Sequence, residues 1–151
     1  MRSISGTLGF VVLLTNAAAT LFMTGLIWFV QVVHYPLFGG VGANEFAAYE
    51  TRHSDLTTYV VIGPMFAELI TAALLVWRRP AVPTWELWAG LGLVGIIWLS
   101  TALLQVPQHT TLTAGFDARA HGLLVSSNWI RTAAWTLRSL IVLRWLHRLM
   151  S

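Results

Sequence analysis

Four of the five histidines in this sequence, His34, His53, His109 and His121, fall at the ends of four different apolar segments, and the order of those segments brings them to one face of the molecule. Neutral imidazoles from separate helices can hold iron, copper or zinc, and helical bundles build such sites from facing helices. His34, His53 and His109 are therefore the candidate ligands for one Fe, Cu or Zn ion, with Glu50 and Asp55 as candidate oxygen donors. The chain has no cysteine, so any metal must rest on nitrogen and oxygen. Two other uses stay open. The histidines can cap helix ends against headgroups and water, since no HxxxH or HxxE pair sets two ligands on one helix, and imidazole can also carry protons. His147, at the opposite end, reads as an interfacial residue.

A second set lies deeper. His121, Asn128, Arg131, Trp135 and Arg138 follow steps of seven, three, four and three, which keeps them on one helix face. Glu68 and Arg131 both fall near the middle of an apolar stretch, where an unpaired charge is costly and finds a partner or lines a wet cavity. The two are expected to pair or share a polar pocket, with Arg138 as the competing partner for Glu68. A stripe of amide, guanidinium and indole suits an oxygen-bearing planar ligand. Asn128 and Arg131, with Glu68, are the candidates to orient such a ligand. Glu68, Trp135, Arg138 and Gln105 are the candidate substrate contacts, and Trp28 and Trp98 are possible additions to the pocket. The other tryptophans read as an interfacial belt. Asn16 reads as a hydrogen-bonder between helices.

The elements that must position these residues are membrane spans. Of the 151 residues 56% are hydrophobic and 10% charged, against about a quarter charged in a soluble domain, so a polar shell could not cover the apolar surface. A span needs roughly 20 mostly apolar residues, and four stretches qualify: Leu8–Val33, Leu56–Trp77, Leu87–Val106 and Leu123–Leu146. The last is interrupted by Asn128, Arg131, Arg138 and Arg144. The first is too long for the core of a cleaved signal, despite Ala17-Ala18-Ala19. The expected fold is a single all-α domain, a four-helix transmembrane bundle with an extra amphipathic helix in the first outer link. That helix would be capped by Asn44, with Phe46, Tyr49, His53 and Leu56 on one face, and would lie along the membrane surface or extend span two outward. Gly63-Pro64 should kink span two. The second outer link, from Pro107 to about Ala120, has loop character.

Arg2, Arg78, Arg79, Arg144 and Arg148 fall on one side and Arg52 and Arg119 on the other, so the positive-inside rule places both termini in the cytoplasm and the histidine links outside. The pI of about 10.2 does not signal nucleic acid. Lysine is absent, the net charge is only +3 and the arginines are scattered, where a nucleic-acid footprint would cluster them.

The segment Val106-Pro107-Gln108-His109-Thr110-Thr111-Leu112, followed by Asn128-Trp129-Ile130-Arg131-Thr132, resembles the anthrone-oxygenase-like family of small four-span membrane proteins. That family shows a Val-Pro segment with asparagines after span three and a Trp/Asn motif ending in Arg-Thr early in span four. Val33-His34-Tyr35-Pro36-Leu37 sits where it places a Pro-containing exit from span one. The resemblance implies an oxygenase-like membrane enzyme acting on a lipophilic aromatic or quinone-like molecule, with His109, Asn128 and Arg131 marked by position. His109 stands where the family would have asparagine, which implies a metal-using branch or another substrate. The expected surroundings are a lipid bilayer, the bacterial inner membrane, with a small lipophilic substrate and a homo-oligomer or larger membrane complex as candidate assemblies. A non-enzymatic accessory or binding subunit is the alternative reading, and a small transporter the third.

Overall fold

The computed structural model describes residues 6–80 and 82–151, apart from the side chain of Leu149; Arg2, used above for orientation, lies outside them. Four long helices follow one another: α1 (Thr7–Gly40), α2 (Ala43–Arg78), α3 (Thr84–Leu112) and α4 (Ala118–Met150). Helices α1 and α3 each pack against both α2 and α4. Short links make neighbours antiparallel. Val41 and Gly42 join α1 to α2, while residues 113–117, including the positive-φ Gly115, join α3 to α4. The Asp117 carboxylate caps α4 by accepting from the Ala120 N–H at 2.7 Å. At the far end, Arg79 takes a left-handed conformation (φ 47°) that stops α2.

Helices α1, α2 and α3 are long and apolar enough to cross a membrane. Helix α4 falls short on composition because of its polar stripe. Yet Asn128, Arg131 and Arg138 all point inward and are buried, while Leu123, Trp129, Ile130, Leu137, Leu140 and Leu143 face out.

Two expectations about the links need correction. The amphipathic helix of the first link is not a separate element but the outward extension of span two, forming the first turns of α2, which runs unbroken for 36 residues through Gly63-Pro64. At about 1.5 Å per residue, α2 is about 54 Å long, well beyond a ~30 Å hydrocarbon core. Gly42, not Asn44, precedes its first turn. The second link is also shorter than expected, because α3 continues past Pro107 to Leu112 and carries His109 on a helix.

Two prolines explain how α1 and α3 keep going. A proline in a helix lacks its N–H and crowds the carbonyl four residues back. Before Pro36 and before Pro107 the helix widens by one residue, at Val30–His34 and at Thr101–Gln105. There the Tyr35 N–H donates to Val30 O and the Val106 N–H to Thr101 O, each five residues back. Both π-bulges begin six residues ahead of their proline. Each re-aims the side chains that follow it, a pattern common at functional sites.

Two apolar clusters fill the bundle. One lies toward the histidine end around Ile27, Phe38, Phe46, Leu124 and Trp135, and the other lies toward the termini around Leu13, Leu75, Val142 and Trp145. A polar layer sits within the interior. Glu68 pairs with Arg138 (Oε1 to Nε 2.8 Å), and not with Arg131. The Glu68 carboxylate also accepts from Thr20 at 2.8 Å and from the Trp135 indole at 2.9 Å. Arg138 donates onward to Gly90 O, Asn16 Oδ1 and Thr20 Oγ1. The Gly90 position is tight, since a Cβ there would lie 3.0 Å from Arg138 Nη1. Asn16 bridges to Thr71 at 2.9 Å, as its place in α1 suggests. Nearer the termini, Glu86 is buried against the Trp145 indole (2.7 Å) and faces Arg144 and Arg148 at 3.3 and 3.5 Å. Trp145 is therefore a buried donor to a carboxylate and not a belt residue, and the inward Trp135 donates to Glu68 in the same way.

Removing one partner of a buried ion pair strands the other charge, at a cost of about 3–5 kcal/mol. Arg138→Met should accordingly lower the thermal midpoint in detergent sharply, while the exposed Arg119→Met leaves it nearly unchanged. Equal midpoints for the two variants would contradict a structural role for the Glu68–Arg138 pair.

Candidate metal centre and cavity

The end of the bundle that carries both short links holds a second polar cluster, and this one is not saturated. Glu50, on the early part of α2, is fully buried. Its Oε1 lies 2.5 Å from His109 Nδ1 and accepts from Ser54 at 3.2 Å, while its Oε2 is buried with no hydrogen-bond partner. One turn along α2 sits His53. Its Nδ1 is 2.9 Å from His34 Nε2 and 3.2 Å from Thr57 Oγ1. One ligand atom each from Glu50, His53 and His109 can be chosen so that all three lie within 4.8 Å of one another. Donors across one ion with ~2.1 Å bonds stand at most about 4.2 Å apart, so a contraction of about 0.6 Å would close this group on a cation. The stranded Glu50 oxygen and the two imidazoles fit such a cation, because a buried carboxylate with an unmet lone pair is stabilised by positive charge.

Directionality threads the remaining contacts into a chain. Arg131 has only hydrogens to give. Its Nε and Nη2 donate to Asn128 Oδ1 at 2.8 and 2.5 Å, Nη2 also reaches Tyr35 Oη at 3.3 Å, and Nη1 reaches Thr101 Oγ1 at 3.3 Å. Asn128 donates to Gln31 Oε1 at 2.8 Å, and Gln31 to Val125 O at 3.2 Å. On the other branch, Tyr35 Oη lies 3.0 Å from His109 Nε2. With Arg131 donating to Tyr35, the phenol donates to Nε2, and the Nδ1 hydrogen of His109 goes to Glu50. Gln105 stands beside this chain, donating to Ser127 Oγ and accepting from Ser100, each at 3.0 Å.

Both π-bulges serve this cluster. The first delivers Gln31, His34 and Tyr35 from α1; the second delivers Thr101, Gln105 and, one turn later, His109 from α3. Helix α2 contributes Glu50 and His53 at positions i and i+3. Helix α4 contributes Asn128 and Arg131.

A cavity of about 810 Å³ opens from this cluster. His34, Tyr35, His53, Gln105, His109 and Arg131 line its polar part, and Met23, Ile27, Val61, Met65 and Trp135 its apolar part. Phe29, Leu56, Val60 and Val106 also line it and are exposed on the outer surface of the bundle, giving one apolar stretch of rim beside the exposed polar residues Arg52, Thr58 and Thr110. From His34 to Met23 along α1, and from His53 to Met65 along α2, the wall runs about 16–18 Å.

The sequence-based site is thus brought together in part. His53 and His109 belong to the group that could hold a metal ion. His34 does not, because its ring bonds to His53, and Glu50 supplies the third ligand. Asn128, Arg131, Gln105 and Trp135 gather at the cavity or its polar chain. Glu68 and Arg138 do not line it, since each is consumed by the other. Trp28 bonds to Thr136 and Trp98 packs on Phe66, both away from the cavity. Asp55 is exposed. His121 holds the Tyr35 carbonyl at 2.8 Å and so fixes the end of α1. Tyr35 is the residue that spacing alone missed, whereas Glu50 stood among the candidate oxygen donors. Glu50-x-x-His53 is the signal that sets it apart from Asp55, since Glu-x-x-His on one helix is a metal-binding pattern of helical bundles. Comparison with protein-family models, curated proteins and solved structures finds no match.

Cobalt(II) or zinc titration of the purified chain checks the metal group. Glu50→Gln, His53→Ala and His109→Ala should each weaken binding by at least the ~10–100-fold that even outer-sphere partners command, while His147→Ala binds normally. Equal affinity in all four variants would remove the site.

Proposed function

We propose that the chain is an integral membrane oxidoreductase, oxygenase-like in its chemistry, acting on a lipophilic aromatic or quinone-like molecule held in the cavity. The observation that carries this reading is the meeting of an apolar-walled cavity with a donor set of two histidines and one carboxylate. That set, with open positions, suits non-haem iron and the activation of dioxygen. The resemblance of the Val106–Leu112 and Asn128–Thr132 segments to anthrone-oxygenase-like proteins points the same way. In this reading all four helices span the bilayer, α4 included, because its polar stripe is turned inward and its outer face is apolar. The arginine distribution supports cytoplasmic termini in a bacterial inner membrane, with the cluster toward the outer face.

The reaction implied converts an activated ring methylene to a carbonyl. Two C–H bonds break, one atom of dioxygen becomes the new carbonyl oxygen, and the other leaves as water with both hydrogens. A bound redox metal would supply dioxygen activation and electron transfer. Glu50, His53 and His109 would hold it, with His34 orienting His53 from behind as second-layer partners commonly do. Both bonds of His53 use Nδ1, which leaves Nε2 as its ligating nitrogen.

With His109 and Glu50 helping to hold a cation, the neutral His109 ring would carry its hydrogen on Nε2, the nitrogen 3.0 Å from Tyr35 Oη. Nε2 would then donate to Tyr35, and the phenol O–H would turn toward the cavity. Tyr35 and Arg131 would thereby become two donors aimed at oxygen on the substrate, where negative charge grows as the methylene is deprotonated. The apolar wall from Met23 to Trp135 holds the rings and excludes bulk water.

Anthrone oxidation in nanodiscs carrying the iron-loaded chain tests the reading. Anthraquinone and water should form with uptake of dioxygen, and Glu50→Gln and His109→Ala should each lower the rate by at least about 100-fold, the low end for a lost proton-handling group. Rates no different from empty nanodiscs, with metal bound, would refute it.

A further inference from the structure

Among the described residues, three of the four arginines on the later turns of α4 face a carboxylate: Arg138 faces Glu68, and Arg144 and Arg148 face Glu86. Arg131 does not. It is 8% exposed and lines the cavity, and every partner it has is neutral: Asn128, Tyr35 and Thr101. The carboxylate of the same cluster, Glu50, is separated from it by two rings in series, Tyr35 and His109, and is itself engaged by His109. A cation in a low-dielectric setting without a counter-ion is costly, and such residues in membrane proteins pair or line a functional cavity. Guanidinium is also the side chain best suited to a planar oxyanion.

We infer that the cavity takes its ligand as a lipophilic monoanion, with a carboxylate, phenolate or enolate oxygen bonded to Arg131 and its apolar body lying along Ile27, Met65 and Trp135. This rests on the cavity being the ligand site of the proposed oxidoreductase, and it specifies the charge state of that ligand. The head then lies one phenol away from His109, since Tyr35 Oη is 3.3 Å from Arg131 Nη2 and 3.0 Å from His109 Nε2. A cation bound at Glu50 would add positive charge and strengthen the preference. The apolar stretch of rim at Phe29, Leu56, Val60 and Val106 lets such an amphiphile enter from surrounding hydrocarbon with its head following last to the polar end.

The test is equilibrium binding to the full chain in detergent, kept metal-free with a chelator so that neither metal nor turnover enters the result. Matched probes are 1-naphthoate against 1-naphthalenemethanol, and laurate against dodecanol. At least one anion should bind about tenfold or more tightly than its alcohol, the equivalent of one charge-assisted contact. The naphthalene pair showing it marks a planar body and the twelve-carbon pair an alkyl one; either supports an anion site. Arg131→Gln should bring the ratio to about one while leaving alcohol affinity intact, and Arg131→Lys should keep a preference. If Arg131→Gln fails to fold, the lysine variant decides. Equal affinity of anion and alcohol in the unmodified chain, or a preference that survives Arg131→Gln, overturns the inference. Neither result bears on whether the iron-loaded chain oxidises anthrone.

Discussion

The structure is organised by one constraint: a carboxylate taken out of water must find its hydrogen bonds and its compensating charge inside the bundle. Three glutamates are buried at three levels, Glu50, Glu68 and Glu86. Helix α4 answers the last two with a repeated device, an indole and an arginine three residues on, Trp135 with Arg138 and Trp145 with Arg148. Glu68 is met on both oxygens and locks α1, α2 and α4 together. Glu50 and Glu86 each keep one oxygen without a hydrogen bond, but that of Glu86 faces Arg144 and Arg148 at 3.3 and 3.5 Å, whereas Glu50 meets only His109 and Ser54 and no arginine. The same physical rule therefore makes one level structural and another receptive.

Receptivity at the Glu50 level comes from backbone geometry as much as from side chains. Pro36 and Pro107 each force a widened turn just ahead of them, and each widened turn rotates the following residues by about one helical position. Tyr35 and His109 are among the residues so re-aimed, and they meet between α1 and α3 within hydrogen-bond reach. Without the extra residue in each helix, the two side chains would follow the regular face of their helices. The cavity beside them is walled by residues that no short link could supply. It needs α2 to run unbroken from Glu50 past Met65.

Much of this was legible in the sequence. Four long apolar stretches, an inward polar stripe on the last helix and histidines gathered at one end all follow from hydropathy and helical periodicity, and the structure keeps the helices and the clustering. Pairings were harder. Arg131 and Arg138 lie on one face seven residues apart, so periodicity offers both to Glu68. Only the vertical register of α4 against α1, α2 and α3, set by Asn16 and Thr20, by Glu68 and by the close approach of Gly90, selects Arg138. The polar first turns of α2 fit a surface helix or an outward extension of span two equally well, and only the continuous backbone through Gly63-Pro64 selects the extension that sets Glu50 one turn before His53. Proline was taken as a marker of exits and loops, whereas here it marks bulges inside continuing helices.

The account stands on a cation being held by side chains from α2 and α3 at the head of the cavity. X-ray absorption at the iron edge of the reconstituted Fe(II) chain measures those ligands directly. It should show imidazole scattering from two histidines together with carboxylate oxygen, falling to a single imidazole in His109→Ala. A shell of water oxygens alone, without imidazole, would contradict it.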